Sequence, residues 1–227
     1  RCPIVSILST GDEVVFPEKC LKPGEVRDIN TYALAGEVIK WGATPISGGI
    51  IRDDFDDLYS AVKNALENSD IVLLSGGSSV GSRDHTVNVI EGMGTPGVLA
   101  HGLSVKPGKP TVIAMIEGKP VIGLPGHPVS AMIIFHLIVR PIISMLLGRH
   151  EEFGGLKVKA RISRNISSAA GRQDFIRVRL KEQEGEYWAV PVLGKSGLIS
   201  TMVEASGIMK IPSEKQGVLE GELVEVE

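Results

Sequence analysis

Carboxylates in this sequence follow short apolar runs. Asp12 and Glu13 come after the run that starts at Ile4, and Asp53 and Asp84 come after two later runs. Carboxylate oxygens are ligands that Mg²⁺ prefers, and Mg²⁺ usually shares them with the phosphates of a substrate. The sequence therefore predicts that Asp12, Glu13, Asp53 and Asp84 hold Mg²⁺. The alternative is turn and helix-cap chemistry, for which Asp is also a preferred residue.

A glycine-rich loop, Ser75-Gly76-Gly77-Ser78-Ser79-Val80-Gly81, follows the apolar run Ile71 to Leu74 and precedes a segment of helical character. Glycines after a buried strand let a ligand approach the backbone, and the N–H groups that start the next helix attract anions. The loop matches neither the dinucleotide fingerprint nor the Walker pattern, so a phosphate-binding role rests on its backbone amides and serines. A glycine turn that only reverses the chain is the alternative.

Two further loops carry candidate ligand-binding residues. Lys106-Pro107-Gly108-Lys109-Pro110 places two cations on a proline-stiffened loop, where they either bind an oxyanion or remain solvated charges. Gly123-Leu124-Pro125-Gly126-His127-Pro128 repeats the order of strand, glycine turn and helix, and Pro128 suits the first position of that helix. We expect the second of these loops to meet the loop of residues 75–81.

Strands and helices alternate through the first two-thirds of the sequence. The predicted strands are residues 4–8, 44–51 and 71–74, and the predicted helices are 32–39 with a cap at Asp28-Ile29-Asn30, 55–66, a segment after Asp84, and 129–147. Residues 111–116 and 121–124 predict a hairpin that gives the sheet a mixed edge. We predict a doubly wound, mostly parallel α/β sheet in which the loops after the strands form one crevice.

The pattern changes around Gly148 to Gly155. Downstream, short and often alternating segments are separated by polar or glycine turns, at residues 157–162, 175–180, 187–193, 208–211 and 223–226. Such spacing is typical of a barrel or a sandwich. We predict an α/β domain at residues 1–148 and a small all-β, barrel-like domain at residues 149–227.

Composition excludes several classes of function. The chain of 227 residues has a net charge of −3, which gives no electrostatic argument for nucleic acid or an acidic membrane. Its two cysteines, Cys2 and Cys20, and its scattered histidines have no metal-ligand spacing, which argues against a zinc site. The low cysteine content suits a reducing cytoplasm.

Polar residues and Pro141 interrupt the apolar segment 129–147, which argues against a membrane span. The start without Met, directly before a strand, predicts a fragment, and no signal peptide is visible.

The motifs together are more specific than any one of them. The sequence resembles the molybdopterin molybdenumtransferase family, MoeA and the E domain of gephyrin. The resemblance is carried by Ser9-Thr10-Gly11-Asp12-Glu13, by the 75–81 loop with Asp84, by the Lys106 to Pro110 and Gly123 to Ser130 loops, and by Gly171-Arg172-Gln173-Asp174-Phe175-Ile176-Arg177 and Gly194-Lys195-Ser196-Gly197. It covers almost the whole chain, whereas family members have two further N-terminal domains.

The resemblance implies an enzyme of molybdenum cofactor biosynthesis. Family enzymes insert molybdate into adenylylated molybdopterin and release AMP, with Mg²⁺ required. The catalytic residues implied are Glu13, Asp53 and Asp84, which with Asp12 also form the implied metal site. The implied substrate-binding residues are Thr10, Gly11, Asp12, Ser75, Gly76, Gly77, Ser78, Gly81, Lys106, Lys109, Gly123, Pro125, Gly126, Pro128, Ser130, Arg177 and Ser196. Lys106, Lys109, Arg177 and Ser196 are the implied molybdate ligands, and tungstate is nearly isosteric with molybdate.

The resemblance also implies a cytoplasmic homodimer, with the molybdopterin adenylyltransferase as a possible second partner. Three positions depart from the common pattern, namely His85, Gly102 and His127, and the last stands where most members have asparagine. Two other functions stay open at this stage. One is adenylylation of molybdopterin on the same α/β fold, which the extra β domain disfavours, and the other is a gephyrin-like dimeric scaffold that uses the apolar helix 129–147.

Overall fold

The protein, described here by a computed structural model, divides into two units. The structure describes residues 2–76, 82–149 and 157–227, and gives the backbone alone for residues 82–84. The first unit comprises residues 1–103 and 110–150, and the second comprises residues 104–109 and 151–227. The sequence predicts the loop that begins at Lys106 within the α/β domain, whereas residues 104–109 lie in the second unit. The boundary between residues 148 and 149 stays a prediction.

The first unit contains a six-stranded sheet with helices on it. Its first elements, in chain order, are β1 (Ile4–Thr10), β2 (Val14–Val15), β3 (Val26–Arg27), α1 (Asn30–Lys40), β4 (Thr44–Ile51), α2 (Phe55–Asn68), β5 (Ile71–Gly76), α3 (Ser82–Glu91) and β6 (Pro96–His101). The chain then forms β7 (Val105–Lys106), which belongs to the second unit. It returns to the first unit with β8 (Val112–Ile116), β9 (Lys119–Pro125), α4 (Pro128–Ile134), a π-helical segment (Phe135–Val139) and α5 (Arg140–Leu146). The strand order is β4-β1-β5-β9-β8-β6.

The sheet is parallel through β4, β1, β5 and β9, and antiparallel at β8 and β6. Continuous apolar runs such as Ile71–Leu74 form its centre because both faces of these strands are covered. The predicted doubly wound sheet with a hairpin edge is therefore confirmed. The sequence pattern does not predict β6 or the two-residue strands β2 and β3.

Helices α2 and α3 cover one face of the sheet, where Leu58, Val62 and Val89 pack with Leu8 and Leu74. Helix α1 buries Leu34 and Val38 and packs on β1 and β4, and α4 packs on β9 and on α1. The start of α1 falls within the predicted cap segment 28–30. Ile29 is the N-cap and makes no side-chain cap bond, whereas Asp28 Oδ1 accepts a hydrogen bond from Thr31 N at 3.1 Å.

The predicted apolar helix at 129–147 is present with a π-helical segment in its middle, which ends at Val139, two residues before Pro141. Proline has no amide hydrogen for the helical ladder, and local π turns are one way in which a helix adjusts to such a loss. Among the described residues, Pro128–Leu146 alone meets the length and composition of a membrane span, with a mean hydropathy of 2.0 and 44% of the segment buried. The buried core helix of a globular protein meets the same criteria.

The second unit is a small β-barrel. Its strands are β7, β10 (Val158–Ile162), β11 (Ile166–Ser167), β12 (Gln173–Gln183), β13 (Glu186–Pro191), β14 (Gly207–Ile211), β15 (Gly217–Val218) and β16 (Leu223–Val226), with one helical turn, α6 (Ser200–Val203). Strands β13-β10-β16-β14-β12 pair in that order, and β12 pairs with β13 to close the ring. Alternate residues such as Val178 and Met209 fill the interior. The predicted barrel-like domain is confirmed.

Candidate functional site

The four parallel strands of the first unit end at the same level. Thr10 lies between Ile51 of β4 and Gly76 of β5, and Gly76 lies beside Pro125 of β9. The loops that follow these strands therefore leave the sheet side by side, which is where ligands bind in open α/β sheets. This register brings the predicted residues at the ends of β1, β4, β5 and β9 to one edge.

The loop after β1 is shaped by Gly11. Its φ of +136° is a conformation that favours glycine, and its N–H donates to Ile51 O at 3.2 Å. A Cβ at this position would lie 2.8 Å from Glu13 Oε2. Only glycine therefore allows the Glu13 carboxylate to fold back against the loop.

Three carboxylates gather at this edge. Asp53 N donates to Asp12 Oδ1 at 3.3 Å, which ties the loop after β4 to the loop after β1. Burial and the negative charges of Asp12 and Glu13 raise the pKa of the half-buried Asp53 carboxyl, while His85 opposes this shift. The cluster therefore carries negative charge that the protein only partly compensates, and it favours a bound cation.

The structure does not complete a metal site from these residues. Within the described ranges, no three or more His, Cys, Asp or Glu side chains are arranged to hold a metal ion. The fourth predicted ligand, Asp84, belongs to α3, and its side chain lies outside the described residues. Gly77, Ser78 and Gly81 lie outside them as well.

Gly76 is the last residue of β5 and packs directly beside Thr10 of β1. A Cβ on Gly76 would lie 2.4 Å from Thr10 Oγ1, so a larger residue does not fit here. Thr10 is 2% exposed, and its hydroxyl has no hydrogen-bond partner among the described residues. A buried hydroxyl without a partner is costly, and at the edge of this sheet it is a candidate ligand contact.

The predicted residues from Gly123 to Ser130 lie at the end of β9, in the loop that follows it, and in the first turn of α4. Gly123 is buried in the sheet, where a Cβ would lie 3.1 Å from Val112 Cβ, so packing alone explains this glycine. Pro125 is also buried, Pro128 is the first residue of α4, and Ser130 is 4% exposed within that helix. Gly126 is half-buried and offers its carbonyl oxygen to a side chain of α1.

That side chain belongs to Asn30, which the sequence analysis treated only as part of a helix cap. Asn30 Nδ2 donates to Ser75 Oγ at 2.7 Å and to Gly126 O at 2.8 Å. A similar contact joins the start of α1 to β1. Ser9 Oγ donates to Asp28 Oδ1 at 2.9 Å, and it lies 3.0 Å from Thr31 Oγ1 of α1. Ser9 and Ser75 are polar residues within buried strands and are direct neighbours in the sheet. Since buried hydroxyls need partners, these serines were the signal that could have revealed Asn30.

The predicted oxyanion ligands all lie in the second unit. Lys106 belongs to β7, which pairs with Gln173 and Asp174 of β12, while Arg177 lies further along β12. Lys106 and Lys109 are exposed and Ser196 is half-buried.

Arg177 is the most constrained of these residues. Its Nη2 donates to Gly194 O at 3.0 Å, and its Nη1 is buried without a hydrogen-bond partner among the described residues. Burial lowers the pKa of its guanidinium. The free, desolvated donor favours an anionic ligand.

Two family descriptions match the sequence. Residues 6–145 match the family described as "Probable molybdopterin binding domain". Residues 159–227 match "MoeA C-terminal region (domain IV)".

The chain is similar to longer curated proteins. It is 34% identical to a putative molybdopterin biosynthesis protein of Methanocaldococcus jannaschii, over 97% of the chain and 54% of that protein. It is 31% identical to a molybdopterin molybdenumtransferase of Bacillus subtilis, over 100% of the chain and 52% of that protein. The chain thus spans about half the length of these curated relatives.

Solved structures give the same result. A molybdopterin biosynthesis MoeA protein from Pyrococcus horikosii superimposes with a TM-score of 0.85 at 39% identity, covering 100% of the chain and 54% of that structure. A molybdenum cofactor biosynthesis protein from Pyrococcus furiosus has a TM-score of 0.73 at 26% identity, covering 100% of the chain and 67% of that structure. The first family description covers more than half of the chain. The chain therefore belongs to the molybdopterin-binding domain family, in the form that carries a MoeA C-terminal region.

Proposed function

We propose that this chain carries the catalytic part of a molybdopterin molybdenumtransferase, which inserts molybdate into adenylylated molybdopterin and releases AMP. The observation that carries the proposal is the group of carboxylates Asp12, Glu13 and Asp53 at the carboxyl edge of the parallel sheet, where the raised pKa of Asp53 marks uncompensated negative charge. Family membership supplies the substrate class.

The carboxylates at the sheet edge would supply part of a magnesium site. Among the described residues Asp12, Glu13 and Asp53 do not form a complete site by themselves, Asp84 on α3 is a fourth candidate, and the phosphates of the substrate would supply the remaining ligands. When bound, Mg²⁺ would neutralise phosphate charge and polarise the pyrophosphate link to AMP. The backbone N–H of Asp53 donates to Asp12 Oδ1, which ties the loop after β4 to the Asp12 side chain before a ligand arrives.

The glycine loops after β5 and β9 would bind the phosphate and pterin groups. Gly76 and Gly126 present backbone close to the edge of the sheet, and Thr10 offers a hydroxyl without a protein partner. These groups bind and orient the substrate. We assign Gly77, Ser78 and Gly81 to the same role by their place in the loop.

The oxyanion site would use the second unit. Molybdate is a tetrahedral dianion, and Arg177 has a buried donor with no protein acceptor among the described residues. Lys106, Lys109 and Ser196 belong to the same unit and are the further donors that we assign to molybdate or tungstate.

We extend the proposal to assembly and location. Apolar residues at the end of α5, Met145 and Leu146, are exposed, which supports a homodimer that uses this helix. The free cysteines Cys2 and Cys20 support a reducing compartment such as the cytoplasm. The adenylyltransferase that makes the substrate is the second proposed partner.

Release of AMP tests the function. We expect the chain, given adenylylated molybdopterin, Mg²⁺ and molybdate, to release AMP in a molybdate-dependent way. Asp53→Asn should abolish the release, and Asp57→Asn should retain it, because the Asp57 side chain is on the exposed first turn of α2. AMP release without molybdate, or consumption of ATP with free molybdopterin, would contradict the proposal and favour the sister adenylyltransferase activity.

A further inference from the structure

The amide of Asn30 is almost completely buried, yet only half of it has a partner. The residue is 7% exposed, and Nδ2 has two acceptors, Ser75 Oγ and Gly126 O. Its Oδ1 is buried and finds no hydrogen-bond partner in the part of the chain that the structure describes. A buried carbonyl oxygen without a donor costs folding free energy, so its retention needs an explanation.

The orientation of this amide is determined by its neighbours. The carbonyl oxygen of Gly126 can only accept, so the atom 2.8 Å from it must be the nitrogen of Asn30. Both hydrogens of that nitrogen are then used, one on the end of β5 and one on the loop after β9. The oxygen is bonded to the same carbon and is held beside these two segments, with no freedom to exchange places with the nitrogen.

Asn30 also stands where three parts of the candidate site meet. Ser75 precedes Gly76 at the end of β5, and Gly126 precedes the start of α4. Asn30 is the first residue of α1, whose next residue, Thr31, contacts Ser9 of β1. The Asn30 side chain therefore links the end of β5 to the loop after β9, whereas the Thr31 hydroxyl contacts Ser9 of β1 and, among the described residues, forms no hydrogen bond to either of these segments.

We propose that Asn30 is a substrate-positioning residue whose Oδ1 accepts a hydrogen bond from an N–H group of the bound ligand. The inference rests on the proposed function and adds a residue to its site. A donor of this kind is an amide-like or amino group on a heterocycle, and adenylylated molybdopterin carries such groups on its pterin and on its adenine. A ligand without this donor leaves the oxygen unpaired, so the contact also contributes to specificity.

Calorimetric titration of adenylylated molybdopterin with Mg²⁺ into the full chain tests the inference. Asn30→Leu keeps the approximate shape and removes both polar atoms, and Asn30→Ser keeps a small polar residue at the start of the helix. Thr31→Val is the matched control, because Thr31 has the same 7% exposure in the same helical turn but contacts Ser9 rather than the two loops. Circular dichroism establishes that each variant is folded.

We expect both Asn30 variants to weaken binding at least tenfold and Thr31→Val to bind within twofold of the wild type. Titrations with AMP alone and with molybdopterin alone identify the donor, since only the half that contacts Asn30 should lose affinity. Wild-type affinity in a folded Asn30 variant, or an equal loss in Thr31→Val, would overturn the inference while leaving the proposed function intact. Absence of binding by the wild type would overturn the proposed function, and the inference with it.

Discussion

Single residues at the candidate site have structural causes that can be separated from their chemistry. Gly11 is explained by its φ of +136° and by the nearby Glu13 carboxylate, and Gly123 by its packing on Val112. Asp53 has no such packing reason, because burial and the nearby negative charges of Asp12 and Glu13 raise the pKa of its carboxyl and give the fold no benefit. Residues that reduce stability without a packing reason are typical of functional sites.

The first prediction concerns Asp53→Asn without Mg²⁺. The folded pKa is raised above the ordinary value of 3.8, so the contribution of Asp53 to stability is most favourable below pH 3.8 and is lost as the pH rises through the folded pKa. Removing the charge should therefore increase the free energy of unfolding at pH 7, by less than about 1 kcal/mol because solvent screens this half-exposed group. The gain should vanish below pH 3.8.

Urea unfolding at several pH values measures this effect. Asp57→Asn is the control, since it removes a similar charge from the same region. Mg²⁺ should stabilise the wild type more than Asp53→Asn, because a ligand stabilises the form that binds it. A variant that is less stable than the wild type at pH 7 would show that the carboxylate has a favourable protein partner.

The second prediction concerns Arg177. The guanidinium can donate to Gly194 O and to an oxyanion at once, whereas lysine has no such fork. We expect Arg177→Lys to reduce molybdate-dependent AMP release about tenfold, the loss of roughly one charged hydrogen bond. Arg179→Lys, two residues further along β12 and exposed, should retain the wild-type rate. Equal rates in the two variants would remove Arg177 from the oxyanion site.

At the level of elements, the third prediction follows from the close packing of β1 against β5 at Thr10 and Gly76. Ala at position 76 would place a Cβ 2.4 Å from Thr10 Oγ1, so Gly76→Ala should lower the free energy of unfolding by about 1–3 kcal/mol. Gly36→Ala should instead raise it by up to about 1 kcal/mol, because Gly36 lies within α1 and its Cβ would meet open space.

Denaturant titration compares the two glycine variants. Thr10→Ala in the Gly76→Ala background should recover most of the loss, since the clash is with the threonine hydroxyl. Absence of recovery would mean that the backbone conformation of Gly76, and not the contact with Thr10, requires glycine.

The elements that the sequence predicts well are those with a periodic pattern. Helix α2, strand β5 and the five barrel strands follow from apolar spacing, because burial on one or both faces imposes that spacing. The two-residue strands β2, β3 and β7 have no period to detect, which is why the pairing of the Lys106 segment with β12 was not predicted. Asn30 was missed because its partners, Ser75 and Gly126, are distant in sequence and meet only through the sheet register.

At the level of the whole molecule, two units with separate cores should unfold separately. Asp174 is 1% exposed and is paired with Arg172, with Arg172 Nε 2.8 Å from Asp174 Oδ1. The fourth prediction is that Arg172→Ala destabilises the second unit by about 3 kcal/mol, because it leaves a buried carboxylate unpaired. Arg179→Ala, which removes an exposed pair with Glu204, should cost at most about 1 kcal/mol.

Tryptophan fluorescence separates the two units, because Trp41 lies in the first and Trp188 in the second. In a Trp41→Phe background, the emission of Trp188 reports the barrel alone. Arg172→Ala should move that transition and leave the far-ultraviolet signal of the helical first unit in place. A joint shift of both signals would show that the two units unfold as one.

The central claim is that the carboxylates at the sheet edge bind substrate through Mg²⁺. Its most direct test is calorimetric titration of adenylylated molybdopterin into the wild type, Asp53→Asn and Asp57→Asn, each with and without Mg²⁺. We predict tight binding that requires Mg²⁺ in the wild type and in Asp57→Asn. Asp53→Asn should lose most of this affinity, and its remaining binding should not depend on Mg²⁺. Binding that is equally tight in all three proteins, or unaffected by Mg²⁺, would contradict it.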